Sequence, residues 1–80
     1  MYIDIFSDDL VRKSDIVGIF DLDNTTVNRW TNDFLRKKQD EGKITYLFSD
    51  IPKSFILMKD GTVYVVEHSS RILRKRFELI

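Results

Sequence analysis

Two carboxylates that directly follow an apolar run are the residues of this sequence best suited to chemistry. The apolar run covers residues 16–20 (IVGIF), and Asp21 and Asp23 come after it, followed by Asn24, Thr25 and Thr26. Carboxylates can act as nucleophiles, as general acids or bases, and as oxygen ligands of magnesium. The spacing therefore raises the question of whether this chain is an enzyme.

The string DLDNT at residues 21–25 resembles the motif that opens the active site of haloacid-dehalogenase-type phosphatases. That resemblance implies a nucleophilic Asp21, a general acid/base at Asp23, and magnesium held in part by a backbone carbonyl. The chemistry also requires a lysine beside the aspartyl-phosphate and further acids after a later strand. Ser49, after the apolar residues 46–48, could imitate the second motif of such enzymes, and Lys53 or Lys59 could imitate the lysine, but the downstream acid pair is missing.

The length of the chain argues against a phosphatase. Such a site lies at the carboxyl edge of a parallel sheet wrapped by helices, and each crossover takes about a dozen residues or more. Eighty residues cannot supply this fold. In the alternative interpretation, Asp21 and Asp23 face solvent at the end of a buried strand, and residues 24–26 begin a helix. We therefore expect no enzymatic activity and no cofactor.

The composition restricts how the chain can be stabilised. Eighty residues form one domain, residues 1–80, with no cysteine and a single histidine. A disulfide-bonded secreted scaffold and a thiol nucleophile are excluded, and one histidine offers too few ligands for structural zinc. A domain this small buries only ~60–65% of its unfolded surface. Good local packing or oligomerisation must therefore supply the stability.

The charges balance overall but are unevenly distributed. Thirteen basic and thirteen acidic residues give a net charge of zero, yet four basic residues and no acid occur within residues 71–76. No apolar stretch approaches the ~20 residues of a membrane helix. The N-terminus has no basic region and no signal-peptide core. We expect a cytoplasmic protein with no membrane partner and no small-molecule substrate.

Hydrophobic periodicity and turn residues predict an α+β domain, a small mostly antiparallel sheet with two helices in the order β-β-β-α-β-β-β-α. The predicted strands are residues 2–6, 10–13, 16–20, 44–48, 54–58 and 62–66. The helices are predicted from a cap at about Asn28 to Glu41, and from a cap at Ser69 or Ser70 through Leu79. Gly42 predicts a left-handed helix end, and Asp60-Gly61 predicts a hairpin because both residues accept positive φ.

The spacing of apolar residues predicts which side of each helix is buried. In the first helix Val27, Trp30 and Phe34 fall on one face, which is expected to be core. Trp30 could instead anchor a subunit interface, where tryptophan is enriched. In the second helix one side carries apolar residues and the opposite side carries basic residues; these are Leu73, Phe77 and Ile80, and Arg71, Arg74 and Lys75 respectively.

Several short segments occur in a fixed order along the chain. They are residues 1–3 (MYI), 15–20 (DIVGIF), 21–26 (DLDNTT), 52–54 (PKS) before an apolar strand, 63–64 (VY), and 69–76, with paired serines, Leu73 and a basic RKR. Together, in this order and spacing, they resemble the RemA/RemB family of bacterial regulators of extracellular-matrix (biofilm) genes. The resemblance covers nearly the full length and is closest to the RemB (YaaB-type) branch.

The resemblance implies a DNA-binding transcriptional regulator whose protomers assemble into closed rings, with basic surfaces that meet the DNA backbone. Repetition of one modest basic patch around a ring would add avidity, so a chain of zero net charge could still hold a polyanion. The candidate DNA-contacting residues are Arg71, Arg74 and Lys75 first, then Arg76, Arg12, Lys13 and Lys53. Arg76 could instead pair with Glu78 or a neighbouring subunit, and Lys53 could cover apolar surface with its stem.

A second interpretation keeps the ring but removes the DNA. In the RemA-type branch a basic residue precedes the third strand and an arginine pair precedes the apolar strand after the turn. The aligned positions here are Asp15, Asp50 and Ile51. Acids at these positions would repel phosphate. The sequence therefore leaves open a ring-forming scaffold or partner-binding protein without direct DNA contact.

Overall fold

A computed structural model describes residues 1–6, 9–22 and 29–78. The elements in chain order are β1 (Tyr2–Phe6), β2 (Asp9–Arg12), β3 (Ile16–Asp21), α1 (Arg29–Asp40), β4 (Ile44–Leu47), β5 (Ser54–Met58), β6 (Val63–Val66) and α2 (Ser70–Glu78). The α+β class and the predicted order of strands and helices are confirmed. Within the described part of the chain, neither helix has the length and apolarity needed to cross a membrane.

The boundaries differ from the predicted ones by a residue or so. Lys13 belongs to a short 3-10 turn, Lys13–Asp15, rather than to β2, because the chain must bend there to leave the first hairpin. The predicted helix cap Asn28 lies outside the described residues, as do the apolar residues Val27, Leu79 and Ile80. The structure therefore does not bear on those four predictions.

The strand pairing is mostly antiparallel, as predicted, but it forms two sheets. β1 and β2 form an antiparallel hairpin by themselves, with Ile3 opposite Val11. The other strands form a four-stranded sheet in the order β3-β5-β6-β4, in which only β4 and β6 are parallel neighbours. β3 and β4 run in the same direction and are joined through α1, with the β5–β6 hairpin inserted between them. These two strands are therefore the edges of the sheet.

The four-stranded sheet is buried on both faces. Alternate side chains of its central strands, including Ile56 and Val66, join the hairpin and α2 in one apolar cluster. The intervening side chains, including Phe55 and Val65, pack with α1 in a second cluster. Because side chains alternate between the faces of a strand, two covered faces explain why β5 and β6 are almost continuously apolar.

The buried face of α1 differs from the predicted stripe. Trp30 is 65% exposed, whereas Thr31 is 2% exposed. Phe34 and Leu35 are half-buried and pack against the second cluster. The prediction of Trp30 as a core residue is therefore wrong: the helix is rotated so that Thr31, Phe34 and Leu35 meet the sheet. Trp30 stacks on Phe34 from the solvent side, with ring centroids 5.4 Å apart.

The C-terminal end of α1 is closed by Gly42, as predicted. The Gly42 N–H donates to the Gln39 carbonyl at 3.1 Å, and the Lys43 N–H donates to the Lys38 carbonyl at 3.0 Å. Gly42 has φ of 72°, in the left-handed region that glycine enters without steric cost. Together these form a Schellman motif, which satisfies carbonyls at the helix end and turns the chain into β4.

The predicted hairpin between β5 and β6 is confirmed, with a three-residue loop of Lys59, Asp60 and Gly61. The Gly61 N–H donates to the Met58 carbonyl at 3.0 Å, and Gly61 has φ of 90°. A turn followed by a left-handed glycine is a common solution for loops of this length. The Asp60 carboxylate accepts the Thr62 N–H at 2.9 Å. This hydrogen bond lowers the pKa of Asp60.

Substitution of Gly42 by alanine tests the left-handed helix end. A Cβ built at Gly42 meets no atom within 4 Å, so the substitution adds backbone strain and no clash. We expect Gly42→Ala to lower the free energy of unfolding by about 1–2 kcal/mol, measured by urea denaturation. Gly42→Asn is the matched control and should cost less, because asparagine tolerates this region. Equal stability of Gly42→Ala and the wild type would contradict the assignment.

Candidate nucleic-acid interface

Helix α2 carries four of the seven candidate DNA-contacting residues. Its cap and its buried face fix its rotation about the helix axis. Ser69 caps its start: the Oγ accepts the Ile72 N–H at 3.2 Å, and the carbonyl accepts the Leu73 N–H at 3.1 Å. The Leu73 side chain is fully buried, and Phe77 packs against the same cluster. The opposite side of α2 must therefore face outward.

Arg71 and Lys75 lie one turn apart on this outward side, and both are exposed. Neither side chain forms a hydrogen bond or an ion pair with any other described residue. Their charges are therefore available to an external anion. The position of Lys75 in the last turn also favours the helix, because a cation there offsets the negative end of the helix dipole.

Arg74 and Arg76 are anchored to the strands beneath α2. Arg74 donates from Nη2 to the Ile19 carbonyl of β3 at 2.8 Å. Arg76 donates from Nη1 to the Asp4 carbonyl of β1, also at 2.8 Å, a partner that was not among the alternatives raised by the sequence. A guanidinium has five N–H donors, so one bond to a carbonyl leaves others for phosphate. These contacts hold two further positive charges beside Arg71 and Lys75.

Lys13 approaches α2 from the first hairpin. Its Nζ lies 4.6 Å from the centroid of the Phe77 ring, a cation–π contact that places the ammonium group beside the C-terminal half of α2. Five of the candidates thus belong to one region, which we call the basic surface: Lys13, Arg71, Arg74, Lys75 and Arg76.

The structure does not group Arg12 and Lys53 with the basic surface. Arg12 lines a cavity of about 380 Å³ between β2 and the β5–β6 turn, whose walls also include Asp15 and Asp60. Lys53 is exposed just before β5, where its N–H donates to the Val66 carbonyl at 3.0 Å. Arg12 therefore has acids for neighbours, and Lys53 serves in part to join β5 to β6.

Only part of the carboxylate string that resembles a phosphatase motif lies within the described residues. Asp21 ends β3 and is half-buried, whereas residues 23–26 lie outside the described part of the chain. The sheet neighbour of β3 is the antiparallel β5, and such enzymes use a parallel sheet. Among residues 1–6, 9–22 and 29–78, no three His, Asp or Glu side chains form a group able to hold a metal ion.

Ser49, the residue that could imitate the second motif of the phosphatases, is hydrogen-bonded to Glu67. The Glu67 carboxylate accepts the Ser49 N–H at 2.8 Å and the Ser49 hydroxyl at 3.3 Å. The backbone hydrogen bond is the main reason that the pKa of Glu67 is lowered. Because Glu67 immediately follows β6, this contact helps fix the segment that leads into Ser69 and α2.

A row of aromatic rings was not identified by sequence reasoning. Phe20 of β3 stacks on Phe55 of β5 at 4.9 Å between centroids, and Phe34 of α1 lies 6.1 Å from Phe55. Trp30 extends the row to the exposed side of α1. The sequence did contain a signal for this cluster. Alternation along β5 places Phe55 and Leu57 on one face, and two large apolar side chains there indicate that another element covers that face.

The comparisons with known proteins add no family to this description. A scan of the sequence against protein-family models found no match, and a search of curated proteins found none.

The lowered pKa of Glu67 predicts a pH-dependent contribution to stability. Because the folded-state pKa lies below the unfolded-state value, the contribution is present above the unfolded pKa and is lost as the pH falls through the folded pKa. We expect Glu67→Gln to be less stable than the wild type at neutral pH, and the two proteins to converge in acid. Urea unfolding at a series of pH values measures this.

Glu78→Gln in the exposed last turn of α2 is the matched control for that experiment, since it removes the same charge without the bond to Ser49. A stability difference between Glu67→Gln and the wild type that persists unchanged at acid pH would contradict the role assigned to the carboxylate.

Proposed function

We propose that this chain is a DNA-binding transcriptional regulator that acts in the cytoplasm as a ring-shaped homo-oligomer. The observation that carries the proposal is the basic surface, in which Arg71 and Lys75 are exposed and Arg74 and Arg76 are held beside them. Lysine and arginine bind DNA mainly by neutralising phosphates and releasing counterions. The resemblance of the short sequence segments to the RemA/RemB family supports the same function.

Contacts of this kind position a protein on the DNA backbone without reading bases. The outward side of α2 offers arginine and lysine at one-turn spacing, and no aromatic or amide side chain accompanies them on residues 71–76. We therefore propose sequence-tolerant contacts to phosphate, with any preference for a target arising from DNA shape and bending.

The ring supplies what a single subunit lacks. The net charge is zero, so one subunit offers only a local positive region, whereas repeated basic surfaces on one assembly bind with avidity. Large apolar side chains that are more than half exposed also support an assembly, because contacts between subunits would remove their apolar surface from water. They include Tyr2, Leu10, Val17, Trp30 and Ile51.

A second candidate function is a ring-forming scaffold or partner-binding protein without direct DNA contact. It is favoured by the use of Arg74 and Arg76 in internal hydrogen bonds. Asp50 and Ile51 are also exposed, at the positions where the RemA-type pattern places arginines. An exposed acid near the phosphates would weaken binding to DNA.

The salt dependence of DNA binding distinguishes the two candidates. For contacts to phosphate, the logarithm of the binding constant falls with the logarithm of salt concentration, by about 0.9 for each neutralised phosphate. We expect a steep slope for the wild type in gel shifts or fluorescence anisotropy. Arg71→Ala with Lys75→Ala should make the slope shallower, by about 0.9 for each lost contact.

Arg36→Ala with Lys37→Ala on the exposed side of α1 is the matched control, because it removes the same charge from another helix. It should leave the slope nearly unchanged. Light scattering on every variant establishes that the assembly has the same mass. An intact oligomer that fails to retard DNA at low salt would favour the scaffold, and equal effects of the two double variants would remove the basic surface as the contact.

A further inference from the structure

We propose that the open edge of β3 in one subunit pairs with the open edge of β4 in the next, so that the partner is a second copy of this chain. The inference rests on the proposed function in its homo-oligomer, and it names the surfaces that meet. Within the described residues, the only strand paired with β3 is β5, and the only strand paired with β4 is β6. Uncovered strand edges are templates for pairing with another strand.

The two edges are different, and this determines the kind of assembly. If β3 paired with β3 of a second copy, the contact would be symmetric and would end at a dimer of sheets. A contact between β3 and β4 is heterologous, so it leaves one free edge on each side and continues until a ring closes. Joined in this way, the four-stranded sheets of successive subunits form one continuous sheet.

The β3 edge has room for a second strand. Val17 is 59% exposed and lies at an irregularity of the strand between Ile16 and Gly18. A groove of about 420 Å³ runs beside the strand, and its walls include Val17, Phe20 and Phe77. Gly18 leaves room for the Phe20 ring, whose nearest atoms lie 2.9 Å from the position that a Cβ would take.

Arg74 borders this groove and already donates to the Ile19 carbonyl. A carbonyl oxygen has two lone pairs, so the Ile19 oxygen can accept a second hydrogen bond from an incoming strand. The arginine would then lie at the junction of two subunits. Its position would link the basic surface of one subunit to that of the next.

The strand directions specify parallel pairing. β3 and β4 run in the same direction within one sheet. Subunits related by rotation about an axis along the strands keep that direction, and each keeps its α1 on the same side. Phe20, 37% exposed, and Tyr46, 53% exposed, both belong to the α1 side of their edges, where they contact Phe55 and Phe48. Parallel pairing brings them together, and such aromatic pairs stabilise contacts between strands.

The charges that flank the two strands complement each other in this arrangement. Asp15 directly precedes β3, and Lys43 directly precedes β4. Parallel pairing brings these opposite charges towards each other across the junction, where Lys43 also donates from Nζ to the Asp60 carbonyl of its own subunit at 3.3 Å. Antiparallel pairing would bring Lys43 towards Asp21 at the end of β3, so opposite charges meet in either direction, and the strand directions rather than the charges specify the parallel contact. The complementary charges of its two edges favour a second copy of this chain as the occupant.

The absence of cysteine from the chain permits a clean crosslinking test. In the register that places Gly18 opposite Tyr46, both on the α1 face of their strands, Val17 lies opposite Thr45, and the Val17 and Thr45 side chains are exposed. We expect Val17→Cys mixed with Thr45→Cys to give a crosslinked dimer with a short bismaleimide, after subunits have exchanged. The double variant should give a ladder that ends at a discrete largest species, seen on a denaturing gel.

Each single variant alone should give no crosslinked dimer, because each junction between subunits then contains only one cysteine. Val17→Cys combined with Arg36→Cys on the exposed side of α1 is the matched control and should give no ladder. A dimer from Val17→Cys alone would show that β3 meets β3 and would overturn the proposal. An oligomer of unchanged mass in which Val17→Cys and Thr45→Cys never crosslink would also overturn it.

Charge reversal provides a second measurement that does not depend on the length or reach of a crosslinker. We expect Asp15→Lys or Lys43→Asp to weaken self-association about fivefold, the upper range for an exposed pair, measured by light scattering across protein concentrations. The double reversal should restore the wild-type behaviour, and circular dichroism establishes that each variant is folded. Failure of the double variant to recover would contradict the pairing of these two residues.

The outcomes separate this inference from the proposed function. Crosslinking at the predicted pair without DNA binding supports the sheet-edge contact and contradicts the proposed regulator. DNA binding by an oligomer that fails the crosslinking and rescue tests supports the regulator and contradicts the sheet-edge contact. A protein that remains a single subunit at high concentration contradicts both the ring and this contact.

Discussion

The structure depends on one constraint: a chain of 80 residues must bury both faces of a four-stranded sheet. One helix covers one face, and the first hairpin and the second helix together cover the other. Almost every apolar side chain of β5 and β6 is used in this way. In the part of the chain that the structure describes, no further strand pairs with the edges β3 and β4, so the same constraint that completes the core leaves two strands with open backbone.

The basic surface follows from the same packing. α2 must place Leu73 against the sheet, and this fixes the outward direction of Arg71 and Lys75. Arg74 and Arg76 occupy intermediate positions around the helix, from which they reach carbonyls of β3 and β1. These two arginines therefore combine attachment of the helix with placement of charge. A cation held by one hydrogen bond loses less side-chain entropy when it meets a phosphate than a fully mobile one does.

Assembly and charge are connected through this geometry. The net charge of zero gives the molecule no general attraction to DNA, so any attraction must come from a repeated local surface. β3 and Arg74 of α2 both border the groove at the sheet edge. The proposed contact between subunits and the proposed contact with DNA thus both involve β3. The way in which subunits join would therefore set the spacing between neighbouring basic surfaces.

The sequence by itself determined the features that depend on neighbouring residues. Strand periodicity, a helix cap at Ser69 or Ser70 and the left-handed Gly42 are local features, and the structure agrees with all three, with Ser69 as the cap. The charge run of residues 71–76 is also local. The tertiary structure decided the rest. The bonds of Arg74 and Arg76 join residues 55 and 72 positions apart, and no local pattern encodes such partners. Trp30 and Phe34 both matched the helical period of a core residue, yet the sheet accepted Thr31 beside Phe34 and left Trp30 exposed, because the rotation of a helix is set by the surface on which it packs.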